Sequence, residues 1–424
     1  MSIEIQSNLL ILSSILMLII ERIILKEKYV LFSPYTLVQF SFLYIYIIPF
    51  SLFNSNDIVN FTQKLSINEI RASLTYFQVF FYLFSILSIR SFYKIKRTVN
   101  IKSQLSFKLT DSFILISIFL LFFIILIGEL ILVNFNISNM ILKMISPRQF
   151  TYLREGLGPI TVFVNFSKLL LLFLSIIYRN QKKNPFTLII LLLAILFNFL
   201  GGSKSSLLIS LIYYVLAIQK YRINYLKISL RKLLIYTGIL IFVVLISFNL
   251  MTLEKSDSTF KSAISSVIGY SQEAYYSSKV IADFEWDLEH IKTVIEDLFL
   301  TPIPREIFKS KGFYGLYKTY WQPLYQPNVV VYHTSTYGFL AEGHMIFSFF
   351  TPLLYALLFN SILLKIYTTF HNTKNIVTFF FILVLSTWIY FIIRTGLFMA
   401  ASNWTLLLYY LAAKVFFKFG LLKL

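Results

Sequence analysis

Between Ser112 and Phe135 the chain runs through twenty-four residues with a single charge, Glu129. A helix needs about twenty such residues to cross the hydrocarbon layer of a bilayer. A soluble helix, by contrast, returns to polar residues every third or fourth position. Comparable runs recur at about 7–25, 30–53, 70–90, 112–135, 158–178, 186–200, 204–219, 232–251, 344–364, 376–397 and 402–420, which predicts eleven spans within a range of ten to twelve. The runs are continuous rather than alternating, so an all-α polytopic membrane protein is expected and a transmembrane barrel is excluded. The least regular pair flanks Gly201-Gly202-Ser203-Lys204, where each half is short enough for two brief spans or a re-entrant pair.

One long polar stretch, Thr252 to Glu342, interrupts the apolar pattern and holds 11 of the 19 acidic residues, two of the four Trp and four of the ten Pro. The expected organisation is therefore 1–251 with about eight spans, a loop over 252–343 with short helices, and 344–424 with three further spans.

The net charge of +19 does not mark a nucleic-acid partner. The long loop has a net charge of −3, so the remaining +22 is concentrated in short connections between spans. Taking connections alternately, one side holds 22 Lys and Arg and the other, apart from the long loop, seven. Basic short loops stay in the cytoplasm, which predicts an N-terminus and long loop outside and a C-terminus inside. Met1 to Gln6 carries an acid and no base, so the first run is expected to be a retained helix. Cysteine is absent, which removes disulfides and thiolate metal sites. No His pair shares a ligand spacing with a carboxylate, and no phosphate loop or dinucleotide glycine fingerprint occurs, so neither metal nor cofactor is expected.

Several outer-side bases sit in unusual settings. Arg148 and Arg154 precede the fifth span, Lys204 lies in the glycine turn, Arg305 comes from the long loop, and Arg394 lies about one turn inside the outer end of the tenth span. Guanidinium groups grip phosphate bidentately and Lys binds it as a point charge, so the set suits a lipid-linked pyrophosphate. Individually, each could equally contact headgroups or a nearby acid. Glu129 and Lys168 come from successive spans at depths about 6 Å apart, which predicts an ion pair.

Leu288, Ile291, Ile295 and Leu298 recur at spacings of three and four, marking an amphipathic helix that rests on the membrane surface or the bundle, with His290 on its polar side. His333, Glu342 and His344 stand where the loop returns to the membrane and are the candidate general bases. His371 falls in a cytoplasmic connection.

The order of these features resembles the Wzy-type oligosaccharide repeat-unit polymerases of bacterial O-antigen and capsule synthesis. The resemblance rests on Ser146-Pro147-Arg148 with Arg154-Glu155-Gly156, on Gly201-Gly202-Ser203-Lys204, on Ile303-Pro304-Arg305 followed by Lys309 to Gly312, and on Gly338 to Pro352. It departs from the family at Lys204, which stands for Arg, and at Lys311-Gly312, which stands for Lys-Pro.

The resemblance implies a membrane glycosyltransferase of GT-C-like architecture that polymerises undecaprenyl-pyrophosphate-linked oligosaccharides at the outer face of the bacterial plasma membrane. Arg148, Arg154, Lys204, Arg305 and Arg394 would hold pyrophosphate, and His333, Glu342 or His344 would take the acceptor proton. Tyr320, Trp321, Tyr325 and Tyr332 would stack on sugar faces or, alternatively, pack the loop. A chain-length regulator and a flippase are the implied partners besides the lipid-linked glycan and the bilayer. An O-antigen ligase and a lipid-linked oligosaccharide flippase are the alternative readings.

Overall fold

The computed structural model describes residues 3–25, 33–52, 65–99, 109–145, 158–199, 209–210, 212–217, 273–300, 316–325, 337–398 and 400–421. Among them every regular element is helical. In chain order these are α1 (Ile3–Leu25), α2 (Pro34–Phe42), a wider π turn over Leu43–Ile47, α3 (Ile48–Leu52) and α4 (Ile67–Thr98). Then come α5 (Asp111–Leu132), α6 (Ile137–Ile145), α7 (Gly158–Lys182) and α8 (Pro185–Phe199). The polar stretch supplies α9 (Glu273–Asp283), α10 (Leu288–Leu300), a π turn over Tyr317–Trp321 and α11 (Gln322–Tyr325). The last group is α12 (Phe339–Phe347), a 3₁₀ turn over Ser348–Phe350, α13 (Thr351–Asn372), α14 (Ile376–Thr395) and α15 (Ala400–Leu421).

Among the described residues six helices are long and apolar enough to cross a membrane: Ile3–Leu25, Ile67–Thr98, Asp111–Leu132, Gly158–Lys182, Phe339–Asn372 and Ile376–Thr395. Two shorter apolar helices, Pro34–Phe50 and Pro185–Asn198, accompany them. The described part of the chain is thus all-helical and that of a membrane protein, and the Leu, Ile and Phe left exposed on these helices suit contact with a bilayer. The expected span at 232–251 lies outside the described residues, as does much of that at 204–219.

Helix starts follow from short polar residues beside the apolar runs. Ser33 caps α2 ahead of Pro34, whose fixed φ and missing N–H suit the first turn. Ser66 and Glu69 form a reciprocal capping box on α4, and Thr110 caps α5. Asn375 accepts from the amides of Val377 and Thr378 at the start of α14.

The chain forms two compact units, each drawn from three stretches of the sequence. The first comprises 1–100, 265–369 and 388–407; the second comprises 101–264, 370–387 and 408–424.

The first unit has an aromatic core. Phe42, Tyr46, Phe77, Phe80, Phe84, Phe339 and Tyr355 are all buried in it. Phe80 meets Phe339 edge-on at 5.2 Å, and Phe339 stacks on Tyr355 at 5.6 Å. These are the offset and edge-to-face geometries the ring quadrupole favours. In the second unit Phe173 takes the central place, within 5.3 Å of Phe380 and 5.8 Å of Phe379. There Arg179, in the last turn of α7, donates to the Asn184 carbonyl at 2.7 Å, while Asn184 caps the next helix through the Thr187 amide.

Candidate functional site

In the first unit the polar stretch returns to the apolar helices at one end, and charge fixes it there. On α9, Glu273 accepts from Nε of Arg394 at 2.6 Å, and Lys279 reaches Glu69 at 2.9 Å and Asp283 at 3.2 Å. Burial works against the charge on Lys279, yet the Glu69 and Asp283 carboxylates outweigh it and hold the ammonium above its ordinary range. The helix is therefore tied to the start of α4 and to the end of α14. Tyr275 adds an apolar tie, packing edge-on against Phe50 at 5.0 Å.

Arg394 is the one expected phosphate-binding residue among those described. It sits in the last turn of α14, where a cation complements the helix dipole. Glu273 fixes its Nε, and no described residue hydrogen-bonds its two terminal nitrogens. That end-on pair of donors is the face of a guanidinium that takes a phosphate or carboxylate.

Two glycines shape the surroundings. Gly338 has φ +81°, and a Cβ there would run into the Tyr46 hydroxyl, which itself donates to the Ile393 carbonyl at 2.9 Å. Gly396 has φ +120°, and its Cβ would press into the carboxylate of Glu342. Glu342 is buried and accepts from the amides of Leu397 at 2.6 Å and Phe398 at 3.1 Å. One carboxylate thus satisfies two amides in the turn between α14 and α15 and joins that turn to the first turn of α12. As positioned, Glu342 holds a helix start and a turn together.

His344 is anchored through Nε2. Nε2 donates to the Phe284 carbonyl at 3.1 Å, and Nδ1 lies 3.4 Å from the Tyr76 hydroxyl. Tyr76 in turn donates to the Ser348 carbonyl at 2.9 Å. The imidazole is a tether between the α9–α10 connection and the break that separates α12 from α13.

His290 stands on the polar side of α10, and that side faces inward. It is buried, donates from Nδ1 to the Met345 carbonyl at 3.0 Å, and meets the Tyr320 ring edge-on at 4.5 Å. The expected polar side of α10 is thus its inner side; the helix buries its hydrogen-bonding residues and leaves Leu288, Ile295 and Phe299 outside. Trp321, expected either on a sugar face or packing the loop, is fully buried and edge-on to Tyr276 at 4.7 Å. It forms the centre of a cluster with Val280, Leu316, Tyr337 and Met345. Tyr320 is half-buried, its hydroxyl 3.2 Å from that of Thr293.

The second unit holds a separate buried charge cluster. Glu129 pairs with Lys168, as their depths predict, and also with Lys143. Gly128 explains the register: a Cβ there would strike the Val164 side chain, so α5 and α7 close up at that point. Lys168, one turn beyond Val164, then faces Glu129. The apolar pattern gives no sign of Lys143, which comes after the run that holds Glu129 has ended. Two residues in the left-handed region, Asn134 and Phe135, turn the chain so that α6 folds Lys143 back onto the carboxylate. Asn-Phe-Asn after an apolar run was the available signal, since Asn tolerates that conformation.

Arg148, Arg154, Lys204, Arg305, Tyr332 and His333 lie outside the described residues, as does the Tyr325 side chain. Among the described residues no group of three His, Asp or Glu could hold a metal ion. Set against models of protein families, curated proteins and solved structures, the chain matches none of them.

Proposed function

We propose that this protein is a membrane glycosyltransferase that joins undecaprenyl-pyrophosphate-linked oligosaccharide repeats into O-antigen or capsular polysaccharide. It would do so at the outer face of the bacterial plasma membrane. The acceptor hydroxyl attacks the anomeric carbon of the donor, the carbon–oxygen bond to pyrophosphate breaks, and the electron pair leaves with the lipid pyrophosphate. The hydroxyl proton passes to a base. Charge that grows on the leaving group is stabilised by preset cations.

The observation that carries this reading is Arg394. A guanidinium at the end of an apolar helix is held through Nε by Glu273, and no described residue hydrogen-bonds its two terminal nitrogens. An ionisable group at that depth is costly unless it serves a polar site. The polar stretch folded over the same end of the unit supports it, since a substrate outside the bilayer requires such a segment. Arg148, Arg154, Lys204 and Arg305 take the same pyrophosphate role on the sequence resemblance alone. His333, on the sequence resemblance, is the proposed base, because the Glu342 carboxylate already serves two backbone amides. The eleven-span count, the GT-C-like architecture, the extracytoplasmic loop and the cytoplasmic C-terminus belong to the same proposal, supported by the 22-to-7 charge bias.

The test is a deletion strain read by its surface-polysaccharide ladder. Loss of a polymerase leaves single repeats on the lipid core, loss of a ligase leaves none, and loss of a flippase accumulates lipid-linked repeats on the cytoplasmic side. Purified protein in nanodiscs, given lipid-pyrophosphate repeats, should lengthen them and release lipid pyrophosphate. A normal ladder in the deletion strain overturns the proposal.

A further inference from the structure

We propose that α10 lies in the membrane–water interface, with one stripe embedded at the headgroup–acyl boundary of the bilayer.

The helix divides into three sectors. His290 and Thr293 face inward and are held by hydrogen bonds, His290 to the Met345 carbonyl and Thr293 near the Tyr320 hydroxyl. At 100° per residue, Leu288, Ile295, Leu298 and Phe299 fall together in a sector about 100° wide. Leu288 is 66% exposed and Phe299 67%. Glu289, Lys292 and Glu296 occupy the sector beside it, and Lys292 pairs with Glu289 at 3.3 Å on the open surface.

A helix in water would bury the leucines and expose the histidine. Here Ile291 and Val294 pack inward against the Trp321 cluster, but Leu288, Ile295, Leu298 and Phe299 stay outside while His290 is buried, and the outer apolar residues are separated from the charges. That division matches a helix lying at an interface, apolar side in lipid and charged side in water.

Lipid is the occupant because the stripe continues the exposed apolar surface that suits a bilayer. The Leu298 carbonyl, in the unsatisfied last turn of α10, accepts from the indole of Trp404 at 2.8 Å, and Trp404 stands in the second turn of α15. Trp is the side chain that favours the headgroup level. Trp286, just before α10, is exposed, as are Phe349 and Phe350 at the break before the apolar helix α13. The sector of Glu289, Lys292 and Glu296 carries a net negative charge, so it supplies no attraction to anionic headgroups and leaves burial of the apolar stripe as the attraction.

The chain has no cysteine, so single cysteines can be placed and spin-labelled in the full-length protein. Labels at Ile295→Cys, Phe299→Cys, Glu289→Cys and Phe119→Cys, in nanodiscs of phosphatidylethanolamine and phosphatidylglycerol, report collision with oxygen and with a water-soluble nickel chelate. Phe119 is exposed on α5 and serves as the lipid reference. The oxygen-to-nickel ratio at 295 and 299 should rise toward that at 119, with 289 at the aqueous end. Leu288→Cys substitutes for either position if it fails to insert. Aqueous ratios at 295 and 299 overturn the proposal, and so does exclusion of both reagents, which would mean that protein covers the stripe. Neither outcome bears on the glycan reading.

Discussion

Arg394 donates its Nε to Glu273 at 2.6 Å, and the two residues are 121 positions apart in the chain. The pair closes the polar stretch onto the end of α14. Glu273 is buried and Arg394 half-buried, so removing the carboxylate leaves a guanidinium without its fixed partner in a poorly solvated place. Breaking such pairs costs roughly 2–3 kcal/mol, toward the low side because the arginine is partly exposed. Glu273→Gln should therefore lower the melting temperature in detergent and shorten the polysaccharide ladder together. Arg394→Lys should preserve folding better than ladder length, because an ammonium keeps the charge and loses the planar two-donor face. If Arg394→Lys leaves the ladder unchanged, the guanidinium has no role in binding pyrophosphate.

The three buried charges on α5, α6 and α7 should respond unequally. Glu129→Gln leaves two buried ammoniums facing each other and is expected to cost about 3–5 kcal/mol. Lys168→Met keeps the Glu129–Lys143 pair and should cost clearly less. Thermal melting of the two variants ranks them, and equal losses would show that the lysines contribute packing rather than charge.

What the sequence revealed and what it hid follow from one physical distinction. Runs such as Ser112 to Phe135 announce helices because lipid leaves the backbone no other partner. The Glu129–Lys168 pair was legible because depth along two successive helices is simple arithmetic. Lys143 was not, since its contact depends on a left-handed turn at Asn134 and Phe135. His290 does stand on the polar side of α10, but that side faces inward, because helical periodicity shows which residues share a face and not what that face meets. Near a bilayer the apolar face can be the outer one. Trp321 shows a further limit, for nothing in its neighbours separates a buried packing centre from a sugar platform.

Lys279 gives the site a pH signature. Its pKa is raised in the folded state by Glu69 and Asp283. A raised cation stabilises fully below its unfolded value, about 10.4 for lysine, and loses that contribution as pH rises through the folded value. The stability gap between the wild type and Lys279→Met should therefore be constant through neutral pH and shrink under strongly alkaline conditions. Denaturation midpoints of the two proteins across that range check it, and a gap that persists at high pH would assign the effect to the lysine's methylenes.

Gly396 should not accept a side chain. At φ +120° any L-residue is strained, and the added Cβ would displace the Glu342 carboxylate from the amides it holds. Gly396→Ala should cost about 1–3 kcal/mol from the backbone alone. Limited proteolysis should then cut more readily between α14 and α15. Unchanged proteolysis would mean that the turn does not depend on Glu342.

Glu342 separates a structural role from a chemical one. Its Oε2 accepts from the amides of Leu397 and Phe398, and a glutamine carbonyl oxygen can accept the same two bonds. Glu342→Gln should therefore fold nearly as well as the wild type. Glu342→Ala leaves two amides without their acceptor and should cost about 1–3 kcal/mol for each that water cannot reach. If the carboxylate is only a fastening, Glu342→Gln also keeps the polysaccharide ladder, while His333→Gln abolishes it. If Glu342→Gln folds normally and yields single repeats, the carboxylate is the proton acceptor and His333 is not. Melting temperature and ladder length, measured on the same three variants, decide between them.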